Sequence, residues 1–456
     1  MIKDKIEASH NVLEVSWNKA HLWPLFKPYL YNSINTYSSV APSKSLGLLK
    51  SVFSKFLISV KSIIKIKKTE AFILSNSNRR ITINGQSFAR ISQGVYDHFN
   101  GKAVFIESNI NVAHDDIERG TNFINETLIL PLQALLILWF KLVQPKFQGK
   151  SILVDILNEY KVNVNIDFRF YKFLARYYTF KWLLRIHKPE YVFVECYYDY
   201  CGYIKACKDQ NVQVIELQHG MIAESHRSYN YSVPVNNHLL PDKLLTFGFR
   251  ESELYNNADI NFIDKECVLP TGFYLFDLFR KGEVQSPKEL SMVIDADRPS
   301  FIISGQDLIE EKSIPFINQL AMLRQDCDFI YVPRTKTTSY ETLFTQSNIK
   351  VVSEFPIYQV INATTAHITA FSTTALESLA MGKVNVFMNI DGLSEKHFEN
   401  YLSFKGVYMI NSPEDFTIQM TDQFKNHKPE ELSDLMKEEY LSNYLNNLND
   451  HLIGNE

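Results

Sequence analysis

A chain of 456 residues, 45% apolar and 21% charged, has the make-up of a globular protein able to bury full cores in two or three domains of ordinary size. Its formal charge of −4 provides no overall basic field, so composition gives no sign of a nucleic-acid partner. The five cysteines are odd in number and show neither a CxxC pair nor histidines at metal spacing. They fit reduced thiols in a cytosolic protein better than a disulfide framework or a zinc site.

The first twelve residues are too polar for a secretory signal. Residues 1–67 read as a helical extension with no evident site. Within it, residues 46–68 alternate apolar positions with Lys50, Lys55, Lys61, Lys65, Lys67 and Lys68. That pattern fits a solvated basic helix and a peripheral membrane contact equally well. Alternation of strand and helix patterns begins next. Residues 71–75 form a β-type run, Asn84-Gly85 is a turn signal, and residues 103–107 are an apolar run closed by Glu107. Helical periodicity covers residues 115–157, and in it residues 127–143 are strongly apolar. Pro131, Gln133 and the short length argue against a membrane span there, so a buried helix is expected. Residues 168–187 are helical again. Strands are expected at 191–195, 212–217, 244–247 and 267–269, with a helix over 200–210.

A second series follows, with strands expected at 301–303, 329–332, 350–352, 368–371 and 384–387. Strands separated by helices imply parallel sheets covered on both faces, and two series imply two α/β domains. The boundaries drawn are 1–67 for the extension, 68–285 and 286–428 for the two domains, and 429–456 for a helix packing back on the first of them.

In open α/β sheets ligands bind beyond the carboxyl ends of the strands, so strand ends are where chemistry is sought. One strand runs into Gln218-His219-Gly220, with His226 and Tyr229 in the loop beyond. A histidine at such an edge can act as a base or donate to a phosphate or sugar oxygen, and the glycine lets the chain turn beside a ligand. Glu195 ends the preceding strand and can orient that imidazole or itself deprotonate a hydroxyl; a solvated acid or a helix cap explains it equally. Glu107 closes an earlier strand in the same way. Gly272, with Asp277 beyond it, marks another strand end, where a simple turn is the alternative. Ser304, Gly305 and Gln306 end a strand of the second series in a form that admits a phosphate to the backbone. Arg334 and Lys336 end the next one and could neutralise a phosphate, or form a solvated basic loop. The most informative stretch is Ser372-Thr373-Thr374, where a strand gives way to a short helix carrying Glu377. Hydroxyl residues there cap free backbone N–H groups, and the polarised helix end also suits a phosphate.

Together these residues resemble the GT-B glycosyltransferases, in particular the bacterial surface-polysaccharide (capsule and O-antigen) group with a Gln-His-Gly loop. The matching points are residues 72–80, 193–195, 216–234, 241–248, 271–277 and 370–388. The resemblance implies two Rossmann-like domains facing an interdomain cleft, with helical additions at the N-terminus. It implies a transferase that moves a sugar from a nucleotide-sugar donor to a glycan or lipid-linked acceptor, in the cytoplasm and at the inner face of the membrane. Ser304, Gln306, Arg334, Lys336, Ser372, Thr373, Thr374 and Glu377 would then bind the donor. His219 and Glu195 would be catalytic, and Gln218, Gly220, His226, Tyr229 and Gly272 would line the acceptor side or the cleft. No cofactor beyond the nucleotide-sugar co-substrate and no metal is expected. Val332-Pro333-Arg334 departs from the group's pattern, which often places His-Pro before the cation. The same fold also serves polyol-phosphate transfer of the teichoic-acid type, sugar-nucleotide epimerisation, and non-catalytic binding of a sugar or nucleotide in a polysaccharide assembly complex.

Overall fold

The computed structural model describes residues 2–35, 69–76, 79–107, 123–125, 129–220, 222, 226–256, 262–295, 297–334 and 340–453. The lysine-bearing stretch 46–68 and Lys336 lie outside these residues. The chain forms two compact units, the first from residues 1–80, 87–272 and 444–456, the second from residues 81–86 and 273–443. Each is described by itself.

Seven strands make the sheet of the first unit: β1 Ala71–Ser75, β2 Ala103–Glu107, β3 Phe123–Asn125, β4 Tyr191–Glu195, β5 Gln213–Leu217, β6 Lys243–Thr246 and β7 Val268–Pro270. All pairs are parallel, in the order β7-β6-β5-β4-β1-β2-β3. The strands read as unbroken apolar runs because both faces are covered; every residue of β1 and β2 is buried. The order reverses between β1 and β4, the switch point where open α/β sheets place ligands. Register then sorts side chains by face. Leu74, Val194 and Glu216 lie level on one face, while Ser75, Glu107 and Glu195, each one residue further on, lie on the other.

The second sheet is built from β8 Ser300–Ser304, β9 Asp328–Val332, β10 Ile349–Val351, β11 Ala366–Thr369, β12 Val384–Met388 and β13 Val407–Ile410. Its order, β10-β9-β8-β11-β12-β13, is parallel throughout and puts the switch point between β8 and β11.

The sequence expectation of α/β units with parallel sheets holds, and the departures are local. Short strands β3 and β13 were not anticipated. Before residue 36 the chain holds a small antiparallel hairpin, Ser16–Trp17 with Ala20–His21, between helices Ile2–Ser9 and Trp23–Asn35, rather than helix alone. This segment shares the core of the first unit through Ile6, Val15, Trp23 and Phe26. It is pinned there by a fully buried ion pair, Lys27 Nζ to Glu7 Oε1 at 2.5 Å. Both charges have further partners, since Trp23 Nε1 and Ser232 N donate to Glu7 and Lys27 donates to the Asn230 carbonyl. Such completion is what makes a buried pair tolerable.

The apolar run expected to be a buried helix is α1, Ile129–Val143. Among the described residues one edge is covered, by packing on helix α2, Ile166–His187, where Phe140 meets the rings of Tyr171 and Tyr178. Gln133 sits on the covered edge, donating to Tyr203 Oη at 2.9 Å. On the open side Leu135 is 64% exposed and Leu142 79%. The segment is apolar around its whole circumference, whereas neighbours cover a single side of it. The C-terminal stretch is likewise two helices, Pro429–Leu435 and Tyr444–Ile453, parted at Asn443, whose φ is 66°. The second belongs to the first unit, where Asn447 Nδ2 donates to the Thr271 carbonyl.

Candidate functional site

At the switch point of the first unit, β1 is followed by Arg79 and Arg80, and β4 ends on Glu195. Arg80 forms an ion pair with Glu107 at 2.8 Å, and Ser75 Oγ donates to the same carboxylate oxygen. Arg79 Nη1 lies 3.2 Å from Glu195 Oε2, while Ser92 Oγ donates to Oε1 at 2.9 Å. Glu195 is enclosed, and burial raises its pKa to about 7 although Arg79 and Ser92 oppose the shift. Burial likewise holds Glu107 above the ordinary carboxylate range.

Cys196 follows in the left-handed region at φ 67°, a conformation that costs a residue with a Cβ on the order of 1 kcal/mol. The turn presents its thiol to two partners: Arg79 Nη2 donates to Sγ at 2.9 Å, and His219 Nε2 lies 3.2 Å from Sγ. Desolvation pushes the thiol up to about 12, so it stays protonated at neutral pH. The pKa of His219 falls to about 3, first through burial and then through the charges of Arg79, His226 and Arg90. Its imidazole is therefore neutral. Nε2 is engaged by Cys196, and Nδ1 is buried without a hydrogen-bond partner among the described residues. In one tautomer Nδ1 accepts a proton from a substrate, and in the other it donates one.

Behind this cluster, on the opposite face of the sheet, lies Glu216. Its Oε1 accepts from Tyr229 Oη at 2.5 Å and from Tyr197 N at 3.1 Å, and burial lifts its pKa to about 8. Tyr197 in turn reaches Tyr231 Oη at 2.6 Å. The rings of Tyr198, His226 and Tyr229 pack together above, with Tyr198 6.4 Å from His219.

The structure therefore gathers Glu195, His219, His226 and Tyr229 into one neighbourhood. Gln218 serves the fold: its amide bridges Glu251 Oε1 and the Gly220 carbonyl while accepting from Phe247 N. Gly220 lies at a bend without a left-handed φ, and an added Cβ would meet nothing among the described residues, so the turn does not require glycine there. Gly272 does need its freedom, with φ at 106°. Arg79, Ser92 and Cys196 are the members that sequence reasoning missed. The paired arginines right after a strand were the legible signal, since carboxylates closing neighbouring strands require counter-charges.

In the second unit the switch-point loops carry the expected donor residues. Ser304 Oγ is 2.9 Å from His367 Nε2, and His367 Nδ1 is 3.0 Å from Asn385 Oδ1. Asn385 also accepts from Ser378 Oγ and donates to the Ala375 carbonyl, both at 2.8 Å. All five residues are buried, and the chain of bonds fixes a short helix, Thr374–Ala380, to β8, β11 and β12. Desolvation lowers His367 to about 4, so it is neutral and completes the chain as donor on one side and acceptor on the other. Gln306 is buried and receives the Phe371 amide at 2.9 Å, joining the loops after β8 and β11. Thr373 is exposed, Ser372, Thr374 and Glu377 half-buried, and Ser372 Oγ donates to Thr374 Oγ1 at 3.0 Å. Glu377 accepts from Tyr358 Oη at 3.2 Å. Helix capping by these hydroxyls is weaker than expected, because backbone carbonyls of Ser372 and Thr373 receive the Ala375 and Leu376 amides. Arg334 is exposed beyond β9. At Gly305 an added Cβ would meet Tyr331 Oη at 2.5 Å, so the glycine admits a tyrosine ring. Among the described residues no cluster of three His, Cys, Asp or Glu side chains could hold a metal ion.

Solved structures share this architecture. The UDP-GlcNAc 2-epimerase of Neisseria meningitidis, bound to UDP-GlcNAc, aligns with 84% of this chain and 99% of its own at 11% identity and a TM-score of 0.52. A candidate UDP-N-acetylglucosamine 2-epimerase from Listeria monocytogenes aligns with 86% and 98% at 10% identity, also at 0.52. At these identities the likeness shows the fold, which is GT-B: two Rossmann-like α/β units. No family model and no curated protein sequence matches the chain.

The Glu216 carboxyl supplies a pH test. Its folded pKa near 8 exceeds the ordinary 4.5, so between those values the folded state binds more protons than the unfolded one and stability falls as pH rises. Denaturant titrations from pH 5 to pH 8 should show that decline in the wild type and a shallower one in Glu216→Gln. Equal slopes would contradict the assignment.

Proposed function

We propose that this chain is a glycosyltransferase, moving a sugar from a nucleotide-sugar donor to a glycan or lipid-linked acceptor in bacterial surface polysaccharide synthesis of the capsule or O-antigen kind. The observation that carries the proposal is the cluster of Glu195, Cys196 and His219 with Arg79 at the switch point of the first unit. The second unit has its own accessible polar strip at Ser372, Thr373, Thr374 and Glu377. A reaction that joins two substrates uses a polar site in each unit, one for the donor and one for the acceptor.

In the proposed reaction the second unit holds the donor. Backbone amides around Thr373 and Thr374 and the side chain of Arg334 take up charge on the departing phosphate, and Glu377 binds the sugar-bearing side of the nucleotide. UDP-GlcNAc in the Neisseria meningitidis protein supports a nucleotide sugar as the ligand. The first unit holds the acceptor. His219 Nδ1 receives the proton of the acceptor hydroxyl, and Cys196 with Arg79 fixes the ring. A pKa near 3 makes the unliganded imidazole a weak base, and a bound phosphate would raise it. The chemistry calls for no metal.

No helix among the described residues is long and apolar enough to cross a membrane. The open side of α1 carries Leu135, Leu138, Trp139 and Leu142, with Lys141 and Lys146 beside them, a composition suited to lying on an anionic lipid surface. That surface is the proposed site of peripheral contact with the inner membrane.

Two outcomes are expected. In assays of nucleotide release from UDP-, GDP-, CDP- and CMP-sugars with acceptor present, His219→Ala should lower kcat about 100-fold or more while nucleotide affinity stays unchanged. Full turnover by the variant would remove His219 from the chemistry. Phosphatidylglycerol vesicles should co-sediment the wild type, less so as salt rises, and the Trp139→Glu, Leu142→Glu variant should stay in solution. Equal partition of the two, or a wild type that dimerises through this face without binding vesicles, would contradict the membrane contact.

A further inference from the structure

We propose that a pocket on the first unit, walled by Arg169, Lys172 and Arg176, binds a phosphate or diphosphate group. Given the transfer reaction proposed above, that group belongs to the acceptor. The pocket is open to solvent and lies between α2, the helix Trp23–Asn35 and the start of helix α3, Cys201–Lys208. The three cations stand at positions i, i+3 and i+7 of α2 and so share one of its faces. Among the described lining residues three cations face one acid, Asp199.

A solvated basic helix face would be the ordinary explanation of such a row. Against it, Arg169 and Arg176 are half-buried, and both are held in place. The Arg169 guanidinium stacks on the Tyr29 ring, 3.1 Å from its centroid, and Arg176 donates to the Asp199 carbonyl. An oxyanion bound between the two guanidinium groups matches their planar donor geometry. The fold also keeps the pocket narrow. A Cβ on Gly202, in the first turn of α3, would meet the Phe173 carbonyl oxygen at 2.6 Å and Arg176 Cβ at 2.8 Å. Only glycine allows the N-terminal end of α3 to close one wall.

The pocket adjoins the proposed acid–base cluster. Tyr198 lines it, and the Tyr198 ring is 6.4 Å from that of His219. A phosphate seated among the three cations would thus hold the remainder of an acceptor close to the His219 ring.

Titration calorimetry with inorganic pyrophosphate on the full chain tests this. The wild type should bind saturably, and Arg169→Gln with Lys172→Glu should weaken binding at least tenfold. Melting of the unliganded variant checks that it folds. Should the pair fail to fold, Lys172→Glu alone, at an exposed position, should still weaken binding about threefold or more. Unchanged affinity in a folded variant, or no pyrophosphate binding by the wild type, would overturn the site. A water-soluble prenyl diphosphate and phosphatidylglycerol vesicles separate the sources: loss of both soluble ligands with vesicle binding intact supports a substrate group. Loss confined to vesicles would assign the cations to lipid headgroups and overturn the acceptor assignment. Pyrophosphate binding abolished by these variants would stand even if no sugar transfer were found, so the site and the transferase proposal fail separately.

Discussion

Arg79 and Arg80 lie just beyond β1, and each meets a carboxylate that closes a neighbouring strand: Glu195 on β4, Glu107 on β2. Parallel pairing in register forces those acids to the same sheet edge, where water is excluded and a lone carboxylate would be costly. The two guanidinium groups compensate them, and the polar architecture of the first unit follows from that arrangement. Arg79 spans Glu195 and Cys196, which brings a thiol against His219, while its charge helps to keep the imidazole neutral. One residue back in register, Glu216 points to the other face and has no arginine partner. It relies on Tyr229 and a backbone amide, and its pKa rises further than that of Glu195. Two buried carboxyls on adjacent strands thus differ in that Arg79 touches one and acts on the other only at a distance.

The second unit solves a similar problem without charge. Ser304, His367, Asn385 and Ser378 form a closed, uncharged chain of hydrogen bonds beneath the short helix that begins at Thr374. Neutral groups are cheaper to bury than ions. Stiff support below leaves Ser372, Thr373 and Thr374 at the accessible edge, where the proposed donor binds. Ser304 was expected to face a ligand and instead belongs to this support.

The α/β alternation, and eleven strands of the two sheets, were legible because a strand covered on both faces must be an apolar run bounded by polar turns. The strands that escaped, β3 and β13, are edge strands of three and four residues. Hydropathy misjudged α1 for a different reason: it records which residues avoid water, and whether a neighbour covers them is a property of the fold. At the site, Glu195 and the His219 loop both follow strand ends, and Arg79 and Cys196 link them. The connection between them escaped, because it runs through a cysteine whose left-handed backbone nothing in its side chain announces. Gly305 shows the converse. Glycine at a strand end was taken as room for a phosphate, when the room is filled by Tyr331.

The proposed division of labour, with donor on the second unit and acid–base chemistry on the first, makes transfer its central claim. Mass spectrometry of products formed from a panel of nucleotide sugars, with and without a lipid-linked or glycan acceptor, tests it most directly. The account predicts an acceptor heavier by one glycosyl residue, together with free nucleotide, and only when acceptor is present. An isomeric sugar nucleotide of unchanged mass formed without acceptor, or an acceptor gaining a polyol phosphate, would contradict it.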